Sequence, residues 1–140
     1  MPFNRIKRLA PEIAPITYKD GRGVISTFYP NLPIVEFNLI TTHKGAFRGG
    51  HFHKEFDEYT LMVTGGGVYV ELDGDTELSE TVATGDCLYI PRNVPHVFYP
   101  TADTQMVSLL TKLWNECKEP ITKVESILPV LKNETPSKGN

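Results

Sequence analysis

The chain has 140 residues, 40% hydrophobic and 22% charged, with a formal net charge of −3. That length predicts one domain with a real core, and the acidic balance argues against a nucleic-acid or anionic-membrane surface, which would need a basic stripe. No apolar run approaches the roughly 18 residues of a membrane span, no charged-then-apolar leader opens the chain, and two cysteines, Cys87 and Cys117, make no disulfide framework.

A cytoplasmic protein with reduced thiols is therefore expected. Residues 1–23 read as an N-terminal arm that packs along a sheet edge or crosses to a partner, and its basic residues Arg5, Lys7 and Arg8 as a solvated terminus. Asp20-Gly21-Arg22-Gly23 makes a turn ahead of the first strand. From Val24 the apolar period is mostly two, and turn residues interrupt it at strand-length intervals, the pattern of an all-β barrel or sandwich. Strands are expected at Val24–Tyr29, Ile34–Thr41, Phe47–His53, Glu58–Thr64, Val68–Leu72, Thr76–Ala83, Cys87–Ile90, Pro95–Tyr99 and Met106–Leu113. Gly65-Gly66-Gly67, Asp73-Gly74-Asp75 and Thr84-Gly85-Asp86 supply the connections. The barrel is expected to occupy residues 24–132. The polar tail 133–140 is expected to be disordered, and its Asn133-Glu134-Thr135 sequon is read as chance.

Chemistry concentrates in two segments. One is Gly45-x5-His51-x-His53-x4-Glu58-x6-Gly65, and the other is Gly85-x5-Pro91-x-Asn93-x2-His96. Residues two apart on a strand share a face, so His51 and His53 project together while Phe52 points away. The same alternation puts Glu58, Thr60 and Met62 on an inner face with Tyr59, Leu61 and Val63 outside. It likewise turns His96 and Phe98 inward, with Val97 and Tyr99 outside. Imidazole nitrogens and one carboxylate suit a divalent transition metal, whether Zn, Fe, Mn, Ni or Cu, so His51, His53, Glu58 and His96 form a candidate metal site. The competing reading is four separate polar residues, each satisfied locally. His43 reads as solvated, Tyr69, Tyr89 and Tyr99 as half-buried packing, Cys87 as a small buried hydrophobe, and Trp114 as packing on the last strand or an interface.

Both segments resemble the signatures of the cupin superfamily, G(X)5HXH(X)3,4E(X)6G and G(X)5PXG(X)2H(X)3N. The first is matched at every fixed position; in the second, Asn93 stands for Gly and Pro100 for Asn. Asn is the substitute best able to adopt a left-handed turn. The resemblance implies a small single-domain cupin, an all-β double-stranded β-helix or jelly-roll barrel, and a homodimer.

Arg48-Gly49-Gly50-His51-Phe52-His53-Lys54, with the Asp20-x-Arg22-Gly23 opening, is also similar to the cupin sugar-nucleotide 3,4-ketoisomerases and 3,5-epimerases. That likeness implies His51 and His53 in proton transfer and Arg48 holding a nucleotide diphosphate. Read from its own chemistry, Arg48 serves equally as a surface or structural ion pair. Such isomerases generally work without a metal, whereas Glu58 and His96 complete a metallo-cupin set. The leading expectation is an isomerase or epimerase of a carbohydrate or nucleotide-linked keto sugar, with a small-molecule substrate and neither nucleic-acid nor membrane partner. The alternatives are a metal-dependent dioxygenase or lyase, and a non-catalytic small-ligand-binding module.

Overall fold

Polar and apolar residues alternate along Glu58–Thr64, and the strand they form buries Glu58, Thr60 and Met62 while leaving Val63 exposed. Repeated along the chain, that pattern builds two sheets with a core between them. The computed structural model describes residues 1–12 and 19–124. The expected disorder of 133–140 lies outside the described residues, as does the end of the expected barrel.

The described strands are β1 (Lys7–Leu9), β2 (Lys19–Asp20), β3 (Gly23–Val24), β4 (Glu36–Thr42), β5 (Arg48–Phe52), β6 (Glu58–Thr64), β7 (Gly66–Asp73), β8 (Thr76–Ala83), β9 (Cys87–Ile90), β10 (His96–Pro100), β11 (Thr104–Leu110) and β12 (Thr122–Lys123). One sheet runs β1-β9-β6-β11-β4 and the other β12-β5-β10-β7-β8, with every pairing antiparallel. This is the jelly-roll architecture expected for a cupin. Between the sheets lie Ile6, Met62, Tyr69, Val82, Leu88, Ile90, Val94, Phe98 and Met106. Each fully buried large apolar side chain of this kind contributes about 1.5–3 kcal/mol relative to exposure. Among the described residues no helix is long and apolar enough to cross a membrane.

Alternation predicts direction, but not what covers an outer face. Tyr59 points away from the barrel interior yet is only 3% exposed, because Phe28, Pro30 and Ile34 lie over that sheet and the Asn31 N–H donates to the Tyr59 hydroxyl at 3.0 Å. Val97 likewise is fully buried on the outside of the second sheet, in a cluster with Phe47, Val70 and Leu72. The covering segment explains why Val24–Tyr29 is not one strand. Only Gly23–Val24 pairs, with Lys19–Asp20, and a single bridge joins Glu12 to Thr27. Prolines 30 and 33 lack the N–H a continuing ladder would use, so the chain crosses the sheet rather than extending it. The last expected strand also stops early, at Leu110, and the chain turns into a short 3-10 turn at Trp114–Glu116.

The basic N-terminal residues are not simply solvated. The Glu71 carboxylate, 0% exposed, accepts the backbone N–H groups of Asn4 (3.1 Å), Arg5 (2.9 Å) and Ile6 (3.0 Å). Arg8 pairs with Glu80 at 2.8 Å and Asp86 at 2.7 Å, and β1 docks on β9. The opening residues therefore strap one sheet to the other.

Candidate active site

His51 lies on β5 and His96 on β10, and the register of these two strands sets them opposite each other. The pairing is irregular: it steps past Gly50 between His96 and Val97, a bulge that re-aims side chains. Gly49 makes the approach possible. Its φ is +102°, and a Cβ there would lie 2.6 Å from the His96 carbonyl oxygen. Asn93 takes the left-handed conformation expected of it, at φ 69°, and its N–H donates to the His53 carbonyl at 2.7 Å. The turn before β10 is thus tied to the end of β5.

Three imidazoles converge as a result. The ligand atoms of His51, His53 and His96 all lie within 4.8 Å of one another, and all three residues are buried. Glu58, from β6 on the facing sheet, places Oε1 3.4 Å from His53 Nε2 and 3.9 Å from His96 Nε2. Its other oxygen accepts from the Ser108 hydroxyl at 2.6 Å. The four residues singled out by their spacing are therefore neighbours.

The far nitrogens fix the tautomers. His53 Nδ1 lies 2.8 Å from the Pro120 carbonyl oxygen, and His96 Nδ1 lies 2.9 Å from that of Val94. A carbonyl only accepts, so each Nδ1 carries a hydrogen, and in a neutral ring Nε2 then presents a lone pair toward Glu58. Two lone pairs facing a carboxylate repel unless a cation lies among them. A divalent metal ion meets that requirement, and so does a second proton on His53. The donor set of three imidazoles and a carboxylate, with carbonyls orienting two of the rings, fits a transition ion.

Burial alone would raise the Glu58 carboxyl, but the hydrogen bond and charge of His53, with His96 and the Ser108 hydroxyl, hold it down at about 2. His96 moves down to about 4, through burial first and the His53 charge second, against the pull of Glu58 and the Val94 carbonyl. Tyr69, expected to be half-buried, is fully so, and burial together with the Glu58 charge pushes its hydroxyl upward. His43 is exposed, 3.8 Å from Asp103, as expected of a solvated residue.

A cavity of about 520 Å³ opens onto this cluster. His53, Glu58 and Ser108 lie in its wall with Ile40 and Leu110; Glu36, Asn38, Phe56, Trp114 and Asn115 complete it. The volume is that of a small-molecule site. Trp114 stands edge-on to His53, ring centroids 6.4 Å apart, so it belongs to the site wall rather than to packing on the last strand. Arg48 does not line this cavity. It borders an adjoining recess of about 10 Å³ with His51, Tyr69 and His96, whose lining shares Ile40 and Glu58 with the cavity. Its guanidinium donates to the Thr41 carbonyl at 2.6 Å and the Thr42 hydroxyl at 3.0 Å, and burial lowers its affinity for a proton.

Sequence reasoning missed Ser108, Glu36, Asn38, Asn115 and Pro120. Polar positions on β4 and β11 that share a face with Ile40 and Leu110 were a usable signal for Glu36, Asn38 and Ser108, although only Ser108 is fully buried. Pro120 acts through its carbonyl, which side-chain patterning cannot register.

The family model for the cupin domain matches residues 38–111. Comparison with curated sequences returns no match. Solved structures share the fold. A 3,4-ketoisomerase from Helicobacter canadensis superposes with TM-score 0.74 at 20% identity, covering 92% of this chain and 98% of that one. A dTDP-6-deoxy-D-glucose-3,5-epimerase from Legionella pneumophila Philadelphia 1, in complex with dTDP-4-keto-L-rhamnose, gives 0.73 at 16% identity, covering 99% and 86%. A 3'-monoepimerase from Streptomyces bikiniensis, in complex with dTDP-quinovose, gives 0.69 at 18%, covering 99% and 82%.

Proposed function

The chain belongs to the cupin domain family, and from that premise we propose that it is an isomerase or epimerase acting on a keto sugar. The observation that carries the reading is the imidazole–carboxylate pair, His53 Nε2 and Glu58 Oε1 at 3.4 Å, on the wall of a cavity of about 520 Å³. The ketoisomerase and epimerases that share the fold support it.

Moving a proton next to a ketone needs a base effective near neutrality, which imidazole provides. His53 Nε2 takes the proton from carbon, the Pro120 carbonyl keeps Nδ1–H in place, and Glu58 offsets the imidazolium charge. Return of the proton to the former carbonyl carbon, with the neighbouring hydroxyl proton passing to the former carbonyl oxygen, isomerises the sugar; return to the opposite face of the carbon it left epimerises it. His51 stands behind His53, ring centroids 4.6 Å apart, as the second candidate for proton transfer. Arg48 borders the adjoining recess, held by the Thr41 carbonyl and the Thr42 hydroxyl, and is given no role in the proton transfer.

His51, His53, Glu58 and His96 are also the residues that would hold a divalent transition ion, which would polarise the substrate carbonyl. The two roles compete for the His53 lone pair, so the metal content of freshly purified protein decides between them. The activity test is incubation with keto sugars, free and dTDP-linked, in deuterated water. Deuterium entering the carbon beside the carbonyl is the expected result. Oxygen uptake without exchange would replace the reading with a dioxygenase.

A homodimer is part of the proposal. Edge strand β4 leaves Phe37 74% and Leu39 64% exposed, an apolar stripe that pairing would cover. Light scattering should give twice the chain mass, and Phe37→Asp should halve it; a monomeric parent chain would end this part.

A further inference from the structure

The cavity's charge and chemistry go further than its volume. Two carboxylates line it, Glu36 and Glu58, and among the described residues neither Lys nor Arg does. Glu58 lies against the imidazoles of His53 and His96 and accepts from the Ser108 hydroxyl. For Glu36, Oε2 accepts from the Asn38 side-chain amide at 2.9 Å and Oε1 from the Trp114 backbone N–H at 3.0 Å, both neutral donors. Cations that flank the site in sequence are already paired, Lys112 with Glu55 at 3.1 Å, Lys54 with Glu119 at 2.6 Å and Arg92 with Asp57 at 3.2 Å. Arg48 borders the adjoining recess, which shares Ile40 and Glu58 with the cavity, and its guanidinium is already engaged by the Thr41 carbonyl and the Thr42 hydroxyl.

The remaining wall suits a different ligand. Glu36, Asn38, Ser108 and Asn115 offer acceptors and amide donors, and Trp114 gives a flat apolar face. Hydroxyls need donors and acceptors together, and a sugar ring's C–H face packs on an aromatic one. A diphosphate needs donors and positive charge, as Arg, Lys or a helix N-terminus supplies.

Resting on the keto-sugar reading above, we propose that this cavity takes a free, uncharged keto sugar and rejects a nucleotide diphosphate, with Glu36 and Asn38 as the specificity-determining residues. Glu36 does two things at once. It accepts substrate hydroxyls, and it repels a doubly charged group, a penalty of about fivefold at roughly 8 Å in a water-like dielectric and larger at low salt.

Trp114 is the single tryptophan of the chain and stands in the cavity wall, so its fluorescence reports occupancy. The experiment titrates the intact protein, at low and physiological salt, with D-fructose, D-xylulose and dTDP, and repeats it on Glu36→Gln and Glu36→Lys. Gln keeps an oxygen for the Trp114 N–H and removes only the charge, so it guards against a folding defect in the lysine variant. Expected is saturable binding of a ketose, at least fivefold tighter than dTDP, with the ratio falling in Glu36→Gln and falling further in Glu36→Lys. dTDP binding as tightly as the ketose overturns the proposal, and so does the failure of both ketoses to bind. A ratio unchanged in Glu36→Gln removes Glu36 from its role. The two readings fail separately: ketose binding without deuterium exchange sinks the isomerase and spares the specificity, whereas exchange on a dTDP-linked sugar alone does the reverse.

Discussion

Replacing Ser108 by alanine tests whether Glu58 works as part of the imidazole cluster. Ser108 and Glu58 are both buried, and their bond is short at 2.6 Å. A hydrogen bond to a charged acceptor contributes about 1.5–3 kcal/mol, and its loss strands one carboxylate oxygen away from water. The volume removed is one oxygen, so the cavity contribution is small. At about 2–4 °C per kcal/mol for domains near this size, the thermal midpoint should fall by roughly 3–12 °C. The metal arm is more specific. Groups that orient a ligating residue typically change metal affinity by 10–100-fold when removed, and the Ser108 hydroxyl is also one of the causes that hold the Glu58 carboxyl low. Competition against a chromophoric chelator, with zinc as the probe, measures the first effect; calorimetry of chelator-treated protein measures the second. A lower midpoint with zinc affinity unchanged within about twofold would mean that Glu58 supports the fold and does not ligate.

Other consequences can be checked in parallel. His51→Ala and His96→Ala should each abolish stoichiometric metal while remaining folded, and His43→Ala should keep it; equal metal in all three would dissolve the proposed centre. Glu71→Ala takes the acceptor from three N–H groups, that of buried Ile6 among them, and should cost about 2–3 kcal/mol in urea unfolding; a loss below about 1 kcal/mol would show that the N-terminal strap is held by other means. For chelator-treated protein the pH dependence has a definite sign. Glu58 is held at about 2, below its ordinary 4.5, so its contribution is present above 4.5 and disappears as pH falls toward 2. His96 lies at about 4 against an ordinary 6.5, so the unfolded chain gains protons first and stability also drops between 6.5 and 4. Both lower the midpoint on acidification from neutrality, and a flat profile from pH 7 to 4 would contradict the burial of this cluster. Burial pushes the Cys87 thiol up to about 11, and Cys117 is only partly buried. Alkylation near pH 8 should therefore modify Cys117 first, with Cys87 protected until unfolding; simultaneous labelling would mean that β9 opens readily.

The local parts of the site were legible in sequence because they follow from covalent geometry. A strand's period of two puts His51 and His53 on one face and Glu58, Thr60 and Met62 on another, whatever the rest of the chain does. Asn93 could be placed in a left-handed turn because few residues tolerate one, and the glycines between alternating runs marked the connections. What alternation cannot carry is who meets whom across the barrel. His96 faces His51 only through the register and bulge of β10 on β5, Ser108 reaches Glu58 only because β11 lies beside β6, and Pro120 holds His53 only because β12 returns to the β5 edge. Burial of Tyr59 and Val97 on outward faces likewise depends on segments that arrive from elsewhere in the chain. The charge of the cavity is the sharpest case. The Arg-Gly-x-His stretch pointed toward a diphosphate, yet Arg48 is turned onto Thr41 and Thr42 while Glu36, unremarkable in sequence, lines the cavity. A motif specifies residue types and spacing along one strand, and the ligand meets the field of every strand that closes around it.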